Sequence, residues 1–379
     1  MHGQGGILLE HLKMLHLQLD VKPGERLFWY STTGWMMWNL LVGGLLTEAP
    51  IVLYDGAAAH PDLGVLWELA DAARISCFGT SAAFITACRK AALAPAVGRD
   101  LTALRSVGST GSPLDRDGFR LVYEALGADT WLFSMSGGTD VCSAFIGGVP
   151  TLPVYEGRLQ GRALGAKVEA FDPRGQPVLD EVGELVLTEP LPSMPLFFCG
   201  DEDGSRYRES YFDVFPGVWR HGDWIEIALD GTAVISGRSD ATINRGGVRI
   251  GTSEIYRSVL ALPAVLDALV LDLPREGQAG SITLVVVLRA DASLDQPLRD
   301  AIASRLRADC SPRHLPDEIH AVADVPRTLS GKLLELPVRR ILLGDDPAQA
   351  VSRDALANPT AVDIFVRLAA ERTLHETRS

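Results

Sequence analysis

Between Pro50 and about Trp131 the chain alternates short β-rich apolar runs with segments of helical period, and no other feature constrains the fold as much. Ile51–Tyr54 and Ile75–Gly79 read as strands, with helices over Gly64–Ala73 and Ser81–Ala92. Leu104–Ser109 is a further short strand, followed by a helix over Asp115–Leu126. Parallel strands need long crossover connections, so this alternation predicts a mostly parallel sheet covered by helices. From Gly161 the rhythm changes to short strands broken by turns: Ala166–Asp172, Gly183–Thr188, Trp224–Leu229 and Ala233–Ser236. Asp230-Gly231 is a hairpin turn within that run. The pattern predicts a small β-barrel or distorted sheet appended to the α/β core.

Beyond Gly237 a compact α+β unit begins. Thr252–Ala261 and Leu294–Asp309 read as helices, and Ala268–Leu273, Ile282–Arg289 and Glu318–Val322 as strands. Asp345 to Ser379 has no strand pattern and is expected to form one or two surface helices. Leu27 to Thr47 carries no charged residue and is about long enough to span a bilayer. Its Ser31-Thr32-Thr33, Asn39 and glycines, closed by Arg26 and Glu48, fit a buried strand and a helix over Trp35–Leu46 better. No basic segment precedes an apolar one at the N-terminus, so no signal peptide is expected.

At 379 residues the chain can bury two or three cores. Its 35 basic and 48 acidic residues leave a net charge of −13, which argues against nucleic acid or an anionic membrane as partner. Five cysteines without C-x-x-C spacing read as buried thiols of a cytoplasmic protein. The eight histidines show no H-E-x-x-H, and His11 and His16 lie off one helical face, so no structural zinc site is expected. A serine hydrolase is excluded by the lack of G-x-S-x-G.

Five stretches carry candidate chemistry. Ser106–Pro113 is small-residue-rich and lies between a strand and a helix, where backbone amides can approach an anion; a tight β–α turn fits it equally. Ser134–Asp140 (S-M-S-G-G-T-D) sets a hydroxyl beside a carboxylate, as a metal nucleotide requires; a capped turn before a helix has the same composition. Trp219–Asp223 (W-R-H-G-D) offers a carboxylate suited to two vicinal hydroxyls. Gly237–Ile250 and Pro326–Lys332 (P-R-T-L-S-G-K) follow. The last is no phosphate loop, because Pro326 stands where the first glycine belongs and Leu333 where Ser or Thr belongs. A lysine there can meet two anions at once.

In order and content these stretches resemble the motifs of the acyl- and aryl-CoA synthetases, which are adenylate-forming enzymes. Gly237–Ile250 is the most specific match, resembling G-R-x-D-x-x-I-K-x-x-G-x-R-I. The resemblance implies ATP, CoA and Mg²⁺ as cofactors, a partial N-terminal α/β core over 1–237, a hinge over 238–241, a lid domain over 242–345 and a tail over 346–379. It places Lys332 between the substrate carboxylate and the ATP α-phosphate, with Thr139 donating to that phosphate and Asp140 on Mg²⁺. The family usually has Glu where Asp140 stands. Gly111, Ser112 and Pro113 would pack on adenine, Asp223 would accept the ribose hydroxyls, and Arg238 and Arg249 would meet phosphate. Asp240 would be the hinge residue. Gly246 and Gly247 would lie along pantetheine, and Arg307 near the CoA phosphates.

Ser31–Asn39, the S-G-G-T-D stretch, Gly331–Arg340 and the tail near Asn358-Pro359 resemble acetoacetyl-CoA synthetases in particular, a likeness covering essentially all of the chain. It implies acetoacetate as the acid, in a pocket of Trp35, Thr110, Ser136 and Gly137. Related acetyl-CoA synthetases carry a tryptophan at the position of Gly137, and its loss would open room for the longer acid. The superfamily's phosphate loop lies just upstream of a segment like Met1–Gly6. The expectation is therefore an acetoacetate–CoA ligase by descent with an incomplete core, exposed sheet edges and an uncovered apolar face. The alternative is a non-catalytic remnant, or one half of a split enzyme needing an N-terminal partner fragment.

Overall fold

The structure, a computed structural model, describes residues 1–239, 243–245, 248–273, 281–329 and 331–376. It divides into two compact units, Met1–Ile235 and Ser236–Ser379.

The first unit opens with α1 (Gln4–Lys13), which runs into one wider π-helical turn over Met14–Gln18. The expected parallel sheet follows. Its elements are β1 (Leu27–Trp29), α2 (Met36–Gly43), β2 (Ile51–Val52), α3 (Val65–Ala72), β3 (Cys77–Ser81), α4 (Ala82–Lys90), β4 (Ser106–Thr110), α5 (Arg116–Leu126) and β5 (Trp131–Ser134). The strands lie in the order β2-β1-β3-β4-β5, and every pairing is parallel. The Ser81 hydroxyl accepts from Phe84 N and the Asp115 carboxylate from Gly118 N, satisfying amides at the starts of α4 and α5.

Side chains alternate between the two faces of a strand, and the core divides accordingly. Phe28, Phe78, Val107 and Leu132 pack under α3, α4 and α5. Leu27, Trp29, Cys77 and Phe133 point the other way, into a layer with Met37, Leu40 and Leu41 of α2. The Trp29 indole crosses β3 and β4 where glycines leave room: a Cβ at Gly79 would lie 2.0 Å from its ring and one at Gly108 2.7 Å. Both faces of this sheet are thus covered, contrary to the uncovered face expected from sequence. Large exposed side chains are found instead on and just after α1 (Leu8, Leu9, Leu17) and at Leu45 and Leu46. The uncharged run Leu27–Thr47 resolves into a strand, a short helix and a 3₁₀ turn. Among the described residues no helix is long and apolar enough to cross a membrane.

Two antiparallel sheets complete the unit. One contains β6 (Ser136–Gly138), β7 (Ser143–Gly147) and β8 (Gly161–Arg162). The other has the order β10-β9-β11-β12-β13, built from β9 (Val168–Phe171), β10 (Pro177–Val178), β11 (Val182–Leu187), β12 (Trp219–Ile227) and β13 (Ala233–Arg238). A short helix, α6 (Ser205–Tyr211), precedes β12.

Beyond β13, the second unit has an antiparallel pair, β14 (Ile243–Arg245) and β15 (Val248–Ile250). Then come α7 (Thr252–Leu260), β16 (Val265–Asp272), β17 (Ile282–Leu288), α8 (Gln296–Asp309), β18 (Glu318–Val322), α9 (Glu335–Leu342), α10 (Pro347–Ala350) and α11 (Ala361–Glu376). β16 pairs antiparallel and β18 parallel to β17. One side of this sheet packs Val270, Leu284 and Val286 on α7 and α8, and the other packs Leu269, Leu271 and Val285 toward α9 and Phe365 of α11. The cysteines are all free thiols, of which Cys77, Cys88 and Cys142 are buried; Cys199 is exposed and Cys310 half-buried, departing from the uniform burial expected.

Candidate active site

In the first unit the predicted residues gather beyond the C-terminal ends of β4 and β5, where ligands of open parallel sheets bind. Thr110 ends β4, and its hydroxyl donates to Met135 O at 2.8 Å. This bond ties the β4 loop to the chain leaving β5. Gly111 follows at φ +89°, a left-handed conformation that suits glycine. A Cβ there would touch the Trp35 indole at 3.7 Å, so Trp35 lies beside Gly111. Gly111, Ser112 and Pro113 are all exposed.

The S-G-G-T-D stretch is not a loop before a helix. Ser136, Gly137 and Gly138 form β6 and turn back through Thr139–Cys142 into β7, with a bulge after Ser136. Thr139 is exposed at the tip and Asp140 half-buried beside it. A Cβ on Gly137 would lie 2.0 Å from Ser143 O and 2.5 Å from Ala144 Cα. This glycine is demanded by the close approach of the β7 backbone. The size argument drawn on it meets an obstacle, because a side chain at 137 is directed at main chain and the hairpin must move to admit it.

Three side chains to which the sequence assigned no role hold this hairpin, two of them, Tyr211 and Glu10, outside any motif. Tyr211, at the end of α6, donates its phenol to Asp140 Oδ2, and its ring stacks on Trp219 with centroids 3.5 Å apart. Glu10 of α1 is fully buried behind β7, takes a hydrogen bond from the Ser143 hydroxyl and pairs with Lys13 at 2.6 Å. His221 of β12 faces Gly138: a Cβ there would lie 2.9 Å from its ring, which also meets the Phe145 edge-on. His221 Nε2 lies 3.6 Å from Asp223 Oδ2. The W-R-H-G-D and S-G-G-T-D stretches therefore meet in space, through the Tyr211–Trp219 stack and through His221. Burial, and secondarily the Asp140 carboxylate, raise the pKa of nearby Tyr207 and keep its phenol protonated. An exposed hydroxyl beside a carboxylate is a hard-oxygen donor set, which suits Mg²⁺.

The lysine motif of the second unit forms a tight loop. Gly331 takes φ +83°, Gly331 N donates to Thr328 O at 2.8 Å, and Lys332 N donates to Thr328 Oγ1 at 3.0 Å. Lys332 itself is exposed. Arg327 clamps the loop with two bonds to Asp267 of β16, at 2.7 and 2.9 Å, and one to Gly331 O at 2.5 Å. Asn358 accepts from Arg327 N at 2.9 Å and donates to Val325 O at 2.8 Å, while Leu329 N donates to Ala355 O. The tail thus buttresses the loop. Arg307 is exposed in the last turn of α8. Arg238 ends β13, and Arg249 stands on β15 opposite Asn244. Asp240, Gly246 and Gly247 lie outside the described residues.

No family model matches the chain. It is 47% identical to the acetoacetyl-coenzyme A synthetase of Rhizobium meliloti over 367 residues, 97% of this chain and 56% of that protein. Over nearly its whole length the chain is similar to acetoacetyl-CoA synthetases. The Gallus gallus acetoacetyl-CoA synthetase is 40% identical over 96% of this chain and 54% of its own length. Among solved structures, the acetoacetyl-CoA synthetase of Streptomyces lividans matches 98% of this chain and 57% of its own at 49% identity, with a TM-score of 0.89. An anthranilate–CoA ligase, AuaEII, shares the fold at 20% identity and a TM-score of 0.73. The chain spans a little over half the length of these family members, and both its units fall within the matched part.

Proposed function

We propose that this chain supplies the acid, nucleotide and lysine elements of an ATP-dependent acetoacetate–CoA ligase, which converts acetoacetate, ATP and CoA into acetoacetyl-CoA, AMP and diphosphate. The observation that carries this reading is the meeting of the Thr139–Asp140 hairpin with the strand bearing Asp223, beyond the ends of a parallel sheet. In this reading Gly111, Ser112 and Pro113 face adenine and Asp223 takes the ribose hydroxyls. Thr139 donates to the α-phosphate, and Arg238 and Arg249 approach phosphate. Asp140 holds Mg²⁺, which when bound neutralises phosphate charge. Trp35, Thr110, Ser136 and Gly137 surround the acid.

Lys332 brings a positive charge to the carboxylate and α-phosphate as they join, an electrostatic and positioning role. The acyl-adenylate is then attacked by the CoA thiol, with Gly246, Gly247 and Arg307 along the CoA path and Asp240 as the pivot between the two half-reactions. The partners are small molecules. The relatives are single chains, so neither a separate N-terminal partner nor a non-catalytic remnant is favoured.

The test joins this chain to the part of the Rhizobium meliloti relative that it does not span, and measures acetoacetate-dependent pyrophosphate exchange. Exchange should be present in that chimera and abolished by Lys332→Ala. Exchange near the parental level in the Lys332→Ala chimera would assign the lysine to structure instead.

A further inference from the structure

We propose that Glu254, Cys310 and His314, in the second unit, form a zinc-binding site. Glu254 lies in the first turn of α7, Cys310 caps the end of α8, and His314 closes the 3₁₀ turn Pro312–His314. Sequence spacing gives no hint of the cluster, because the glutamate is 60 residues from the histidine and no paired-ligand motif is present. Packing of α7 on α8 brings them together: Ile255 and Val259 on one helix and Ile302 and Leu306 on the other are fully buried in one core. One ligand atom from each of the three residues lies within 4.8 Å of the other two.

The orientation of each donor fits a metal. The His314 ring is buried, and its Nδ1 is hydrogen-bonded to Ser311 Oγ at 2.9 Å, which turns Nε2 toward Glu254 Oε2 at 2.7 Å. A ligating histidine is usually fixed through its second nitrogen in this way. Cys310 Sγ lies 3.8 Å from Glu254 O and 3.5 Å from the hydroxyl of fully buried Ser258, a donor available to a thiolate. Tetrahedral zinc at ordinary bond lengths holds its ligand atoms about 3.4–3.7 Å apart. The ion would separate the His314–Glu254 pair by less than an ångström, at the order of magnitude set by those bond lengths, and draw the sulfur in.

Thiolate, imidazole and carboxylate together select zinc over magnesium or calcium. Binding displaces the Cys310 thiol proton to solvent, moves the imidazole proton of His314 from Nε2 to Nδ1, where Ser311 Oγ accepts it, and forms zinc–sulfur and zinc–nitrogen bonds with no change of oxidation state. Three protein ligands leave the fourth position to water. The site would staple the start of α7 to the end of α8 and stabilise the second unit.

The 379-residue protein, reduced and freed of metal with a chelator, should be titrated with Zn²⁺ and with Co²⁺ as a spectroscopic substitute. The expected result is one equivalent bound, with Co²⁺ giving tetrahedral d–d absorption and a sulfur-to-cobalt charge-transfer band. Cys310→Ser should lose that band, and Cys199→Ser should keep it. Ser311→Ala should keep the band but weaken affinity by about 10–100-fold. Independently of any variant, Zn²⁺ should protect Cys310, and not Cys199, from alkylation mapped by peptide. No charge-transfer band, a band that survives Cys310→Ser, or equal alkylation of Cys310 with and without Zn²⁺ would each overturn the proposal.

Discussion

The hairpin carrying Thr139 and the loop carrying Lys332 both present an exposed candidate residue, but they are held by different physics. The hairpin is fixed by shape. Its strand β6 lies so close to β7 that Gly137 has no room for a methyl group, and its tip is set by an aromatic stack ending in one phenol. The loop is fixed by charge and hydrogen bonds: Arg327 reaches Asp267 and Gly331, and Asn358 reaches the main chain on both sides. A shape-fixed element tolerates polar change and fails on added volume. A charge-fixed one tolerates volume at its surface and fails when a fork of donors is lost.

The largest effect should come from volume in the hairpin. Gly137→Val must displace Ser143 O, which a Cβ would approach to 2.0 Å, and overpacking of backbone against backbone has no flexible side chain to absorb it. A loss of about 3 kcal/mol is expected for the first unit, at the upper end for overpacking. Urea unfolding followed by tryptophan fluorescence would measure it. An unchanged midpoint would show that the hairpin shifts freely, and would restore the size argument for residue 137.

The lysine loop should break more gently. Arg327→Lys keeps the charge but loses the planar fork that meets Asp267 with two bonds. The pair is mostly buried, at 28% and 23% side-chain exposure, so solvent screening is partial and a loss of about 1–2 kcal/mol is expected. A double-mutant cycle with Asp267→Asn would isolate the coupling, and additive losses would contradict the clamp.

Much of the architecture was legible. Glu318–Val322 is the strand that its alternation predicts, and Ser81 and Asp115 stand at the helix starts that the parallel-sheet rhythm requires. What sequence could not show was decided by distant packing. Ser136-Gly137-Gly138 has no strand propensity of its own and becomes a strand because β7 pairs with it. The β12 strand begins at Trp219, five residues ahead of the expected Trp224: its ladder to β11 starts at Trp219 and Arg220, shifts register across the stretch that holds Gly222, and resumes at Trp224. Tyr211 sits 71 residues from the Asp140 it holds, and nothing local to either residue announces the bond.

That bond supports the smallest and most discriminating change. Tyr211→Phe keeps the ring on Trp219 and removes only the hydroxyl that Asp140 accepts. The stability loss should be about 1 kcal/mol, the ordinary net value of one hydrogen bond. Under the proposed reading Asp140 also holds Mg²⁺, so a freed carboxylate should be a less ordered ligand. The Mg²⁺ concentration for half-maximal pyrophosphate exchange should then rise by roughly tenfold, the lower end for a lost outer-shell contact. The apparent KM for acetoacetate should stay near the parental value, because the phenol is bonded to Asp140 and not to the residues assigned to the acid. A change in acetoacetate KM without a change in Mg²⁺ demand would move Tyr211 to the acid pocket. An unchanged pair of constants would reduce the tyrosine to a packing element of the shape-fixed hairpin.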